Sequence, residues 1–93
     1  GDVAQVASVA STFGIPDESV RQFVDRAREL HPVLTAKIAE MEKNLTGTPE
    51  EKRKQMNTAL RAEYEKVAVE TMGEQGRHVS RIVLGMLDPW RGD

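Results

Sequence analysis

The 93-residue chain contains no cysteine, which excludes disulfide bonds, thiolate nucleophiles and zinc sites built on cysteine ligands. Aromatic side chains are also scarce, with one Trp, one Tyr and two Phe. The hydrophobic core must therefore be built mainly from aliphatic side chains and methionine. No apolar run approaches the roughly 18 residues that a membrane-spanning helix needs, so we expect no membrane span.

Neither sign of charge is in clear excess: 13 Lys and Arg oppose 15 Asp and Glu, which gives a formal net charge of −2. Proteins that bind nucleic acid draw much of their affinity from an excess of positive charge, so the balance disfavours a nucleic-acid partner. A soluble chain without cysteine fits the cytoplasm and the secreted space equally well. Residues 1–93 are too few for two cores, and we expect one helical domain with a flexible tail over residues 88–93.

One long apolar stripe predicts the central helix of the chain. Between residues 17 and 45, apolar side chains recur at intervals of three and four, which is the period of one helix face. Pro32 interrupts this stripe, because proline removes a backbone hydrogen bond and clashes with the preceding turn at a cost of roughly 3 kcal/mol. Since the stripe keeps its phase across Pro32, we favour one helix with a kink or a very tight break over two separate helices. The stripe consists of Val20, Phe23, Ala27, Leu30, Leu34, Ile38, Met41 and Leu45.

Three shorter patterns predict the remaining helices. The first covers about residues 2–13 and stops at Gly14, which would adopt left-handed geometry in a Schellman ending. The next begins with a capping box at Thr48 and covers about residues 49–72. The last, about residues 75–87, is the most sharply amphipathic. The fold class is therefore all-α, a small and mostly antiparallel bundle of four or five helices, with the second helix kinked or broken at Pro32.

Residues 6–27, VASVASTFGIPDESVRQFVDRA, resemble a helix-turn-helix. The resemblance implies a DNA-binding domain that presents its second helix to the major groove. Under this alternative the side chains in contact with DNA would be Arg21, Gln22 and Arg26. The residues that carry the resemblance lie around the turn and on the inner sides of the two helices: Ala10, Gly14, Ile15, Val20 and Phe23.

The sequence offers no pattern that predicts catalysis or a bound cofactor. His31 and His78 lie far apart, and neither is followed by a second His or a carboxylate at the i+4 spacing of a helical ligand pair. A Gly-rich phosphate loop and a Gly-x-Ser-x-Gly elbow are both missing. The carboxylates lie on faces predicted to be solvated, where nothing would raise a catalytic pKa. We therefore expect a protein that is not an enzyme and holds no cofactor or metal.

The leading hypothesis is a helical binding domain that recognises a protein partner, or a second copy of itself, through an amphipathic helix face. That face is expected at the end of the chain and comprises Arg77, Val79, Arg81, Met86 and Trp90. A further alternative is a carrier of an apolar ligand such as a lipid, because methionine lines adaptable pockets as well as cores. Its pocket would be lined by Met41, Met56, Tyr64 and Met72.

Two short motifs complete the sequence. Asn44, Leu45 and Thr46 form an N-glycosylation sequon at a predicted helix end, and this sequon has a meaning only in a secreted protein. The last three residues spell the integrin-binding tripeptide Arg-Gly-Asp, a match short enough to arise by chance. Neither motif identifies a partner.

Overall fold

The structure, a computed structural model, describes residues 2–86, and this part of the chain is helical apart from its turns. The described residues contain no strand, which confirms the all-α fold class. Gly1 and residues 87–93, including the tail predicted over 88–93, lie outside the described residues. The four helices follow one another as α1 (Asp2–Ser11), α2 (Asp17–Glu42), α3 (Pro49–Met72) and α4 (Gly76–Met86).

The turn between α1 and α2 has the Schellman geometry that the sequence predicts. The Gly14 N–H donates to the Ser11 carbonyl at 3.1 Å, and the Ile15 N–H donates to the Ala10 carbonyl at 3.2 Å. Gly14 has a φ of 72°, a left-handed conformation that costs glycine little because it has no Cβ. This turn directs the buried Ile15 side chain back into the core, so α1 and α2 pack against each other.

The second helix continues through Pro32 as a single element of 26 residues. Two side-chain contacts hold the turn around the proline. The Thr35 hydroxyl donates to the His31 carbonyl at 2.8 Å, and His31 Nδ1 lies 3.0 Å from the Tyr64 hydroxyl on α3. The His31 contact ties α2 to α3 directly beside the proline. A kink at Pro32 stays a prediction.

The third helix has the bounds that its capping residues predict. The Thr48 hydroxyl accepts a hydrogen bond from the Glu51 N–H at 3.1 Å and donates one to the Glu51 carboxylate at 3.0 Å. Pro49 occupies the first helical position, where a backbone N–H would have no partner within the helix, so the N–H that proline lacks is not missed. At the other end, Gly73 donates its N–H to the Val69 carbonyl at 2.9 Å. Local contacts thus define both ends of α3, through the Thr48 side chain at the start and the Gly73 backbone at the end.

Two clusters of buried side chains hold the helices together. The arm, which we define as residues 31–61, contains the second half of α2 and the first half of α3. The molecule is elongated, measuring 41 × 23 × 21 Å. Leu30 of α2 packs against both clusters and so lies where they meet. The arm cluster consists of Leu34, Ile38 and Leu60 with the adjoining Tyr64. The body cluster joins all four helices and consists of Val6, Ala10, Ile15, Val20, Phe23, Val24, Val67, Ala68, Met72, Val79 and Val83.

α4 approaches the backbone of α3 closely at Gly76. A Cβ on Gly76 would clash with the carbonyl oxygen of Ala68 and lie 3.0 Å from the Met72 Cβ. Ser80, one turn further along α4, is almost completely buried, as is Ala68. Small residues at these positions let the two helices pack closely. This contact fixes the position of α4 beside the second half of α3.

Candidate functional site

The two arginines predicted to contact a partner form ion pairs within the protein. Arg77 Nη1 and Arg81 Nη2 lie 3.3 and 3.2 Å from the same carboxylate oxygen of Glu65 on α3. Arg77 also reaches Glu74, at 3.5 Å. Since the Glu65 side chain is only 23% exposed, these arginines help to hold α4 on α3. Each would have to weaken an internal pair in order to bind a partner.

The remaining residues of the predicted partner face are divided between the core and the chain end. Val79 is fully buried in the body cluster, where no partner can reach it. α4 ends at Met86, and Trp90 lies outside the described residues. Among the side chains of α4 that the structure describes, Ile82 is the large apolar one that is exposed, at 43%. One isolated apolar residue is ordinary on a protein surface.

The three residues proposed for DNA contact are exposed on α2. Arg26 Nη2 lies 3.6 Å from a Glu70 carboxylate oxygen on α3, an exposed pair that contributes little to stability. Arg21 and Gln22 lie one turn earlier, after Asp17 and Glu18 in the first turn of the same helix. The predicted contact surface therefore combines charges of both signs.

The four residues proposed to line an apolar pocket belong to two different clusters. Met72 is buried in the body cluster. Tyr64 is buried in the arm cluster, against which the half-buried Met41 and Met56 also pack. The structure therefore brings three of these residues together and places the fourth elsewhere.

Tyr64 is tied to α2 by its hydrogen bond with His31 Nδ1. Burial raises the pKa of the Tyr64 hydroxyl above its usual value of 10.0, because the phenolate would lose its hydration. Tyr64 thus remains a neutral phenol at physiological pH. The contact joins the two helices of the arm directly beside Pro32, which gives His31 a structural role.

His78 stacks on Phe13, with the ring centroids 5.8 Å apart and the ring planes inclined by 16°. The two histidines thus serve separate contacts. Among the described residues, no group of three or more His, Asp and Glu side chains is arranged to hold a metal ion. None of the described helices is long and apolar enough to cross a membrane.

A surface that the sequence analysis did not single out lies along α2 and α3. Lys37 Nζ donates to Glu63 Oε1 at 3.2 Å, which shows that these two residues share one side of the helix pair. Helical spacing places three further residues of each helix in line with them. We call the resulting eight residues the arm face: Leu30, Val33, Lys37 and Met41 on α2, and Lys52, Met56, Ala59 and Glu63 on α3.

The short helices α1 and α4 pack mainly against the body cluster, and Leu84 of α4 also contacts the arm cluster. α4 contacts α3 through Glu65 and beside Ala68. Residues two positions apart point about 200° apart around a helix, so Glu65 faces away from Glu63. The buried side chains of α1 all belong to the body cluster. The α4 contacts thus lie on the side of α3 away from Glu63, and at one end of the arm face Leu30 also packs against the body cluster.

Much of the arm face is apolar and accessible. Val33 is 60% exposed, more than any other large hydrophobic residue in the described part of the chain. Leu30, Met41, Met56 and Ala59 are partly buried, because they pack against the arm cluster from one side only. Scattered apolar residues are normal on a surface, but two adjoining rows are typical of a contact surface.

Two lysines stabilise the negative charge of Glu63 in the middle of this face. The hydrogen bond from Lys37 lowers the pKa of the Glu63 carboxyl below its usual 4.5, partly opposed by burial. Lys66, 3.7 Å away, acts in the same direction as Lys37. Glu63 and Lys37 therefore form a charged bridge between the two apolar rows.

Comparison with known proteins provides no family for the chain. No family model, curated protein or solved structure gives a significant match. The helix-turn-helix resemblance of residues 6–27 therefore stays a prediction, and the described surfaces are the basis for inferring function.

Proposed function

We propose that the protein is a non-enzymatic binding domain that recognises an amphipathic helix of a protein partner on its arm face. The observation that carries this proposal is the pair of adjoining apolar rows, with Val33 60% exposed, on the side of α3 away from Glu65 and its α4 partners. A groove between two packed helices can accept the apolar side of a third helix.

The side chains of the two rows suit such a contact. Met41 and Met56 are unbranched and flexible, so they can adapt to partner side chains of different shapes. Leu30 and Val33 continue the same surface past Pro32 towards the body of the molecule. The Lys37 and Glu63 bridge supplies a polar contact that fixes orientation more than it contributes affinity.

The proposal includes a mostly antiparallel arrangement of the helices, which keeps both rows on one side over the length of the arm. In three contacts between α2 and α3, the residue number on α3 falls as the number on α2 rises, and this supports it. A kink at Pro32 also belongs to the proposal, because proline cannot donate the helical hydrogen bond at that position. The three contacts that support the antiparallel arrangement pair Arg26 with Glu70, His31 with Tyr64, and Lys37 with Glu63.

Peptide binding by two matched variants tests the function. The probe is a fluorescein-labelled designed helix with leucine at positions i, i+3, i+4 and i+7, measured by fluorescence anisotropy. We expect saturable binding that Met56→Glu weakens about tenfold or more, because it buries a charge in the apolar contact. The control, Gln55→Glu, adds the same charge at an exposed neighbouring position and should bind like the unchanged protein.

Circular dichroism of both variants establishes that each remains helical. If the unchanged protein binds no such peptide, the proposed function is wrong. Equal binding by the two folded variants would show that the contact lies elsewhere, and would also refute it.

A further inference from the structure

We infer that the helix bound on the arm face is an acidic one, with a carboxylate that pairs with Lys52. This inference rests on the proposed function and names the chemical class of the partner. Its basis is the distribution of charge between the arm and the rest of the chain, together with the pairing of individual lysines on and beside the arm face.

The arm carries the opposite net charge to the remainder of the protein. Residues 31–61 contain six Lys and Arg and four Glu, and Glu63 of the arm face adds a fifth carboxylate, whereas the other residues contain seven basic and ten acidic side chains. The arm is therefore net positive within a chain that is negative overall. A positive surface attracts an acidic partner and repels a basic one, and this sets both association rate and specificity.

Within the arm, the lysines differ in whether their charge is already paired. Lys37 donates to Glu63 at 3.2 Å, and Lys43 donates to Glu40 at 3.0 Å. Lys52 is half-buried at the end of the α3 row, one turn before Met56, and forms no ion pair with a described residue. A carboxylate placed beside it gains a charge-assisted hydrogen bond at the edge of an apolar contact.

The same charge distribution favours an acidic partner over a second copy of this chain. In a symmetric dimer, two arm faces would meet, and two net positive arms would be brought together. Like charges opposed across an interface carry a penalty that selects against that pairing. An acidic amphipathic helix has no such conflict.

Two peptides that differ only in charge test the inference. Both carry the same leucine positions, and the polar flanks contain glutamate in one peptide and lysine in the other. We expect the unchanged protein to bind the glutamate peptide about tenfold more tightly, with a preference that declines as salt is added. Lys52→Glu should abolish or reverse the preference.

Two further variants separate a local contact from a change in overall charge. Lys54→Glu alters the net charge equally but lies at an exposed position outside the arm face, so most of the preference should remain. Lys52→Gln removes the charge without adding a new one, and should reduce the preference even if Lys52→Glu fails to fold.

The outcomes distinguish the inference from the function on which it rests. If both peptides bind equally while Met56→Glu still abolishes binding, the acidic partner is wrong and the helix-binding function stands. If neither peptide binds, the function itself fails. If sedimentation equilibrium shows a dimer that Met56→Glu dissociates, a second copy occupies the face and the acidic partner is again refuted.

Discussion

The body cluster and the arm cluster are built from similar aliphatic side chains but are enclosed differently. In the body, four helices surround the cluster, and Ala10, Val20 and Val79 have no exposed surface. In the arm, α2 and α3 enclose the cluster almost alone, with Leu84 of α4 packed against it. Several neighbours of the arm cluster consequently stay half-exposed. The body therefore supplies most of the stability, while the arm supplies the surface that a partner can cover.

The largest loss of stability is expected from Gly76→Val, which would disrupt the packing of the body cluster. The new side chain would meet the backbone of Ala68, and α4 would have to move away from α3. Overpacking of this kind costs about 3 kcal/mol, since a backbone atom cannot turn aside as a flexible side chain can. Thermal unfolding followed by circular dichroism measures the loss.

A substitution at the preceding residue provides the control for this change. Gln75→Ala alters an exposed position and should change stability by no more than about 0.5 kcal/mol. Equal melting temperatures for Gly76→Val and the unchanged protein would contradict the close packing of α4 on α3.

A matched pair of isoleucine changes would sharpen the comparison between the clusters. Ile15 belongs to the body cluster and Ile38 to the arm cluster, and both are buried. Each change to alanine removes the same atoms and should cost about 2 to 3 kcal/mol. We expect Ile15→Ala to lower protection from hydrogen exchange throughout the molecule, and Ile38→Ala to lower it mainly over residues 31–61.

Hydrogen exchange measured by mass spectrometry distinguishes the two patterns. Protection lost equally in the body and the arm of Ile38→Ala would mean that the two clusters unfold as one unit. The proposal that the body supplies most of the stability and the arm supplies the binding surface would then be wrong.

The smallest effect concerns the ion pair on the arm face. Because the pKa of Glu63 is lowered in the folded protein, its contribution to stability is present above its ordinary pKa of 4.5. That contribution is lost as the pH falls through the folded value. Glu63→Gln should therefore cost about 0.5 kcal/mol near neutral pH and progressively less below pH 4.5, measured by urea unfolding.

Glu40→Gln removes a carboxylate from a more exposed pair with Lys43 and serves as the control. Its effect on stability should be smaller near neutral pH. A cost of Glu63→Gln that grows as the solution is acidified would contradict the stated role of Lys37.

The sequence was most informative where a residue acts on its own backbone. The capping box of Thr48 begins α3, and the left-handed Gly14 ends α1. Both act through contacts within a few positions of the chain, so the bounds of these helices follow from local chemistry. The phase of the apolar stripe across Pro32 also agrees with the continuous α2. These predictions needed no knowledge of the tertiary arrangement.

The candidate site was much less accessible from the sequence. Arg77 and Arg81 look like exposed charges until α4 is placed beside Glu65, and that pairing spans 12 and 16 positions of the chain. Val79 lies on the apolar side of α4, but that side packs inward. The arm face could not be predicted from the sequence, because it depends on which sides of α2 and α3 the short helices α1 and α4 cover.

Leu30 has a consequence for heat stability. It packs against both clusters and also lies on the arm face, so a partner helix that covers it touches the boundary between arm and body. A ligand that binds only the folded state raises the free energy of unfolding of whatever unit its contacts span. A bound helix that reaches Leu30 should therefore raise the melting temperature of the whole molecule, whereas one confined to Met41 and Met56 should protect the arm alone.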